Sequence, residues 1–259
     1  MRLVRINHQG SPVWVIVESD EVYAIEGDVY TNFEKGVRLC SLGEARLLAP
    51  AEPSIIVACG LNYMGEIRHL GAAVPDEPSL FFKPPTTVLD PGVTIPYPQL
   101  TDMLSHEAEL CCVMKKTTRF VTETEALSHV LGYTCGNDIG MMDVLKKDNN
   151  IITRAKGFDM SSALGPWLET ELDPTDLDIK GIINGEVIQD SNTSEMLFSA
   201  ARIISYISEF MTLRAGDVVF TGTPENGHYV VNVGDVMEVE IENIGRLTTP
   251  VGPRVQRHT

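Results

Sequence analysis

The sequence has no apolar run approaching the roughly 20 residues that a membrane helix requires, and its opening MRLVRINHQG lacks the apolar core of a signal peptide. These absences lead to the expectation of a cytoplasmic protein. Basic residues are scarce, 20 Lys and Arg against 36 Asp and Glu, for a formal charge of −16. Such a chain repels phosphate backbones and anionic lipid surfaces, so neither a nucleic-acid partner nor a membrane partner is expected. Small anionic substrates stay open, because a local cation or bound metal reverses the potential inside a cleft. Cysteine is limited to Cys40, Cys59, Cys111, Cys112 and Cys135, an odd number without CxxC spacing, and four of the five lie in apolar runs. That pattern reads as buried, reduced thiols of an intracellular protein. Internal repeats and low-complexity segments are lacking too.

With 259 residues the chain can bury roughly three quarters of its unfolded surface, enough for a large core without disulfides. The first 50 residues alternate apolar and polar positions in PVWVIVES and EVYAIEG, which predicts a small antiparallel sheet. A Pro-flanked link, LLAPAEPS, then leads into IIVACG, a continuous apolar run expected to be a strand buried on both faces. The expected division is a small N-terminal β domain at 1–50 and a larger unit at 51–259. In the larger unit SLFFK, EAELCCVM, DIKGIING, GDVVFTG and DVMEVEIENIG read as strands. Fewer stretches predict helices: TETEALSHVLGY, GMMDVLKK and EMLFSAARIISYISEFMTL, the last with a 3.6-residue apolar period. The expected fold class is therefore a β-rich α/β domain with its elements mixed.

LSHEAELCCVM carries the clearest chemistry. As a strand it places Glu107, Glu109 and Cys111 on one face and Ala108, Leu110 and Cys112 on the other. Two carboxylates on one face repel unless a cation lies between them, and a hard divalent metal suits an all-oxygen site. The alternative is an exposed edge strand with two solvated glutamates. HEAEL opens like the zinc motif HExxH, but Leu110 stands at the second histidine's position. Asp138, in GYTCGNDIG, reads either as a third carboxylate of the site or as a cap for the following helix. Lys156 taken alone reads as a surface lysine, Gly222, Thr223 and Pro224 as a turn, and Asp235 as a hairpin residue. In CGLNYMGEIRHLG, Glu66 and His69 are three residues apart, a spacing that suits either a proton-sharing pair or two solvated residues on a helix face.

Taken in order, GLNY at 60–63, ExE at 107–109, GYTCGND at 132–138, Lys156 with LGPW at 164–167, TGTP at 221–224 and VGDVMEVEIENIGRL at 233–247 resemble the fumarylacetoacetate hydrolase superfamily. The first 50 residues resemble the small β domain of a bacterial subset described as 2-hydroxyhepta-2,4-diene-1,7-dioate isomerases or related hydrolases, enzymes of aromatic-compound catabolism. The resemblance implies a mixed β-roll, usually a homodimer, that holds Mg²⁺ or Mn²⁺ on Glu107, Glu109 and Asp138. It implies a small 2-oxo acid substrate, with Lys156 beside the developing enolate and Tyr63, Gly222 and Thr223 lining the substrate site. A metal there acts as a Lewis acid when a carbon–carbon bond breaks or a proton moves.

Two departures from the family pattern stand out. The family motif runs NYxxHxxE, whereas this chain carries Glu66 first and His69 second, so a carboxyl with a reference pKa of about 4.3 replaces an imidazole of about 6.5. Where many relatives carry serine and arginine, this chain has Gly140 and Met142, which removes a bidentate anchor for a substrate carboxylate. The leading expectation is hydrolytic carbon–carbon cleavage of a 2,4-dioxo acid with Glu66 or His69 as base. A tautomerase, isomerase or decarboxylase in the same site demands less of that pair. A non-catalytic, metal-binding member of the fold is the reading from another class.

Overall fold

The structure is a computed structural model that describes residues 1–254; the last five residues of the expected 51–259 unit lie outside the described residues. All five strand-like runs form strands, at Ser79–Lys83, Ala108–Met114, Asp178–Ile183, Val218–Phe220 and Val236–Ile241. Among the described residues the strands make three sheets. The largest runs from Phe33–Ser41 through Glu21–Gly27, Ser11–Glu18, Arg2–His8, Ser162–Glu169, Val130–Asp138, Ala108–Met114, Val218–Phe220 and Ile56–Gly60 to Ser79–Lys83. A second sheet orders Glu186–Asn192, Asp178–Ile183, Val236–Ile241, Gly245–Arg254 and Ile95–Tyr97, and a third joins Gly140–Met141, Leu104–His106 and Tyr229–Val231. This is the β-rich mixed roll that the sequence predicts. The first 50 residues are antiparallel strands that extend the large sheet, with Leu3 opposite Leu168 and the N-terminal amine against the Glu169 carboxylate.

Ala108–Met114 is buried at every position and paired antiparallel on both sides, so the exposed edge-strand alternative is wrong. Leu110 and Cys112 pack with Ile179, Val239 and Ile203 on one face, while Cys111 and Val113 pack with Leu164, Leu168 and Phe220 on the other. Helices are shorter than expected. TETEALSHVLGY is α-helical only at Glu123–Ala126, capped by Thr122, passes through a 3-10 turn at Leu127–His129 and is strand from Val130 onward. The apolar run VLGYTC has pairing partners on both sides there, and tertiary pairing outweighs local helix preference. The long amphipathic stretch is helical at Ala200–Phe210, where the Ser199 hydroxyl accepts the Arg202 N–H and Ile203, Ile204 and Ile207 are buried.

The strands Ile56–Gly60 and Val218–Phe220 lie parallel, so the segments that follow them leave from the same end of the sheet. GLNY and TGTP are thereby brought together across about 160 residues of sequence. Asp217 fastens the opposite end of this pair. Its buried carboxylate accepts from Ser54 N at 2.8 Å, Ser54 Oγ at 2.8 Å, Ile55 N at 3.1 Å and Arg214 N at 2.7 Å. Asp217→Ala strands three backbone donors, for an expected loss of about 3 kcal/mol. Thermal denaturation should register that as a fall of roughly 6–12 °C, and a fall under about 2 °C would refute this role.

Candidate metal centre

Two adjacent strands assemble the carboxylates. Ala108 pairs with Asn137, which places Glu107 and Asp138 side by side, and the Asp138 N–H donates to the Glu107 carbonyl at 3.1 Å. Glu109 lies opposite Gly136, where a Cβ would collide with Cys111 Sγ and the Phe220 ring, so only glycine leaves the neighbouring side chains room. Ligand atoms of Glu107, Glu109 and Asp138 all fall within 4.8 Å of one another, and all three residues are buried. Asp138 ends its strand and caps no helix, since Met141 holds that position before Met142–Lys147. His106 is buried on the other face of the turn, near Gly181 and away from the triad, in keeping with the missing HExxH motif.

Two lysines meet the three acids. Lys156 is not a surface residue: its ammonium lies 2.7 Å from Glu107 Oε1 and 3.1 Å from Asp138 Oδ2, and it donates to the Asp138 carbonyl at 2.7 Å. Lys83 donates to Asp138 Oδ1 and to the Ser161 carbonyl, the latter at 2.8 Å. Burial alone would raise the Asp138 pKa, but Lys156 and Lys83 hold it below the usual carboxylate value. Burial would lower that of Lys156, and Asp138 and Glu107 hold it above the usual lysine value. Glu109 has no lysine in ion-pair contact; its oxygen accepts the Gly222 N–H at 2.6 Å. Burial first, then the charges of Asp138 and Glu107, push its pKa well above normal.

The donor set fits a divalent cation. Glu107 Oε1 and Asp138 Oδ2, though within ion-pair distance of Lys156, accept no well-aligned hydrogen bond and are buried from water. Three carboxylates against two ammonium groups leave the cluster one positive charge short, and hard oxygen ligands favour Mg²⁺- or Mn²⁺-like ions.

Glu66 and His69 part company. Both belong to the helix Met64–Leu70, but Glu66 is buried while the His69 side chain is 46% exposed with Glu225 at 3.9 Å. No side chain hydrogen-bonds to either Glu66 oxygen, so Glu66 and His69 share no proton in this structure. Burial, and then the Glu107 charge, push the Glu66 pKa up to about 8, with the Gly227 N–H and Lys156 opposing part of the rise. Thr223 Oγ1 accepts from Gln189 Nε2 at 2.9 Å, and Tyr63 is buried with its hydroxyl unpartnered. Gly222 has φ of +99°, a conformation that glycine adopts without strain, and meets the triad through its N–H. A surface hollow of about 500 Å³ lined by Arg2, Trp167 and Arg246 contains none of these residues.

Sequence reasoning missed three contributors. Lys83 ends the SLFFK strand before two prolines, and a lysine closing an apolar run was its only local signal. Gln189 gave none, yet it joins Ala108 N, between the two glutamates, to Thr223 and the Pro224 carbonyl. His228 follows TGTP by four residues and places Nε2 3.2 Å from Glu107 Oε1.

Comparison with known proteins identifies the family and the fold. The family described as fumarylacetoacetate (FAA) hydrolase C-terminal matches residues 55–252, and the one described as Rv2993c-like, N-terminal matches residues 1–50. The fold is similar to that of a 5-carboxymethyl-2-hydroxymuconate delta-isomerase from Mycobacterium smegmatis, with a TM-score of 0.90 and 36% identity over 98% of this chain and 100% of that one. A fumarylpyruvate hydrolase from Pseudomonas aeruginosa, solved in complex with Mn²⁺ and pyruvate, has a TM-score of 0.71 and 30% identity over 77% of this chain and 90% of that one. In sequence the chain is 34% identical over 224 residues to a mitochondrial oxaloacetate tautomerase, fahd2, from Xenopus laevis, which covers 82% of this chain and 70% of that protein. With the family match spanning most of its length, the chain belongs to the fumarylacetoacetate hydrolase family.

Proposed function

We propose that the protein is a divalent-metal-dependent enzyme that moves a proton between carbon and oxygen in a 2-oxo acid, as a keto–enol tautomerase or dienoate isomerase. One observation carries this reading: Glu66 is a buried, unpartnered carboxyl whose pKa lies near 8, beside the carboxylate triad. Such a group both accepts and returns a proton near neutral pH. A divalent cation, Mg²⁺ or Mn²⁺, would be held by Glu107, Glu109 and Asp138 and would supply Lewis acidity for an enolate. Glu66 takes the proton from the carbon next to the keto group and delivers it back on the return step. Lys156 helps keep Asp138 charged, lies 2.7 Å from Glu107 and adds positive potential on the enolate side. Because the Thr223 oxygen accepts from Gln189, its own hydrogen is free to donate to the substrate. Tyr63 and the Gly222 turn close the site around a small acid.

Carbon–carbon hydrolysis of a 2,4-dioxo acid is the second reading. The likeness to the Pseudomonas fumarylpyruvate hydrolase favours it, while the lack of a hydrogen bond between Glu66 and His69 argues against a water-activating pair. A homodimer in the cytoplasm remains part of the proposal.

Four outcomes test this account. Calorimetry should detect Mn²⁺ binding that Glu109→Gln weakens by at least about 100-fold, since even loss of a group outside the direct ligands costs 10–100-fold in metal sites. Unchanged affinity would remove Glu109 from the ligand set. With Mn²⁺ bound, the protein should exchange the C3 protons of oxaloacetate for deuterium, and EDTA should abolish the exchange; no exchange would overturn the reading. Ketonic substrate needs ionised Glu66, so the rate should rise with pH through an apparent pKa between the ordinary carboxylate value and about 8. The bound cation offsets the Glu107 charge and lowers that midpoint. Glu66→Gln should cost about 10²–10⁴ in rate and erase the rising limb, and a limb that survives would exclude Glu66 as the base. In the metal-free protein the raised Glu66 pKa favours folding below the unfolded value of 4.5, and this contribution is lost as pH rises through about 8. Thermal melts of Glu66→Gln should therefore gain on wild type more at pH 8 than at pH 4.5; an equal gain at both would contradict the shift.

A further inference from the structure

We propose that His228 selects the substrate's distal group, favouring 2-oxo acids with a second carboxylate; this rests on the function proposed above. The imidazole is held in place by its loop. His228 and Asn226 adopt φ of +67° and +63°, a left-handed conformation that asparagine tolerates and that an imidazole side chain adopts only under constraint. The loop is tied down around them: the buried Gln189 side chain donates to Thr223 Oγ1 and to the Pro224 carbonyl, Asn226 donates to the Ile188 carbonyl at 3.0 Å, and Gly227 N–H donates to the Pro224 carbonyl at 3.2 Å.

The held ring spans the inside and the outside of the site. Nε2 is 3.2 Å from Glu107 Oε1, yet the side chain keeps 33% of its surface exposed, while Glu66, Glu107, Glu109, Asp138 and Lys156 are all buried. The groups acting on it are Glu107, Lys156, Asp138 and His69. In this proposal a short 2-oxo acid that turns its first carboxylate and keto oxygen toward the triad reaches outward past the partly exposed imidazole, with its far end beside it. Nε2–H is a donor in the tautomer that faces Glu107, whether the ring is neutral or charged. Its contact with Glu107 is expendable, because Lys156 lies 2.7 Å from the same oxygen. On the opposite side the Met142 methyl packs beside Gly140 and the Lys156 side chain and offers no donor.

L-malate and L-lactate differ at the distal carboxylate and are not turned over by proton exchange at C3, so calorimetry of both on the Mn²⁺-loaded protein isolates the effect. Wild type should bind malate at least about 10-fold more tightly than lactate, a difference of about 1.4 kcal/mol. His228→Ala should weaken malate by about that factor while lactate and Mn²⁺ affinities stay within about 3-fold, and His228→Gln, which keeps an N–H donor, should restore most of the preference. Equal loss for malate and lactate, or weakened Mn²⁺ binding, would reduce His228 to a support for Glu107 and overturn the proposal. Equal wild-type affinity for the two acids would overturn this inference alone. If neither acid nor oxalate binds the loaded protein, the proposed function falls and this inference with it.

Discussion

Three carboxylates buried within 4.8 Å of one another are the constraint around which the rest of this structure is arranged. Desolvating even one carboxylate costs several kcal/mol, and three in contact would neutralise by binding protons unless the fold brought cations to them. Lys83 and Lys156 converge on Glu107 and Asp138, and each lysine is itself fixed by a backbone carbonyl, of Ser161 and Asp138 respectively. Glu109 is left over. Among the described residues its hydrogen-bond donor is a backbone N–H, and burial, then the charges of Asp138 and Glu107, drive its pKa upward. That imbalance suits the cluster to a cation, and the same acids load Glu66, whose rise toward 8 comes partly from Glu107.

The fold serves this cluster through register and strand direction. Antiparallel pairing of Ala108–Met114 with Val130–Asp138 sets Glu107 beside Asp138, and the same face of the first strand turns from acidic to apolar at Cys111. Parallel pairing of Ile56–Gly60 with Val218–Phe220 sends the Glu66 helix and the Thr223 loop out over the same end. Gln189, from the second sheet, links the Thr223 loop to the strand that follows Glu107, so the carboxylate cluster and that loop cannot shift independently. Polar ties of this kind give a site its rigidity, because each buried donor left unpaired carries its full desolvation cost.

Much of this was legible in the sequence where the signal was local or followed a known order. The period-two placement of Glu107 and Glu109, the strand runs and the chain order of Asp138, Lys156 and TGTP all pointed to the site that the structure assembles. Local reasoning failed where pairing partners decided the outcome. TETEALSHVLGY carries a capping box and helix-forming residues, yet Val130 onward joins the sheet. Glu66 and His69 have a pair's spacing, but the i, i+3 relation does not reveal that one side chain turns inward and the other toward Glu225. Gln189 reaches the site from a strand that carries no local signal, while Lys83 and His228 had only weak ones, a lysine closing an apolar run and a place four residues after TGTP.

Proton release on metal binding tests the central claim most directly. If Glu109 is protonated in the metal-free protein because the cluster lacks one positive charge, Mn²⁺ must displace that proton. Calorimetric titration at pH 6 in buffers of different ionisation enthalpy should then report at least about one proton released per Mn²⁺ bound. Binding with no proton release would mean that Glu109 is already ionised and that the charge account of this site is wrong.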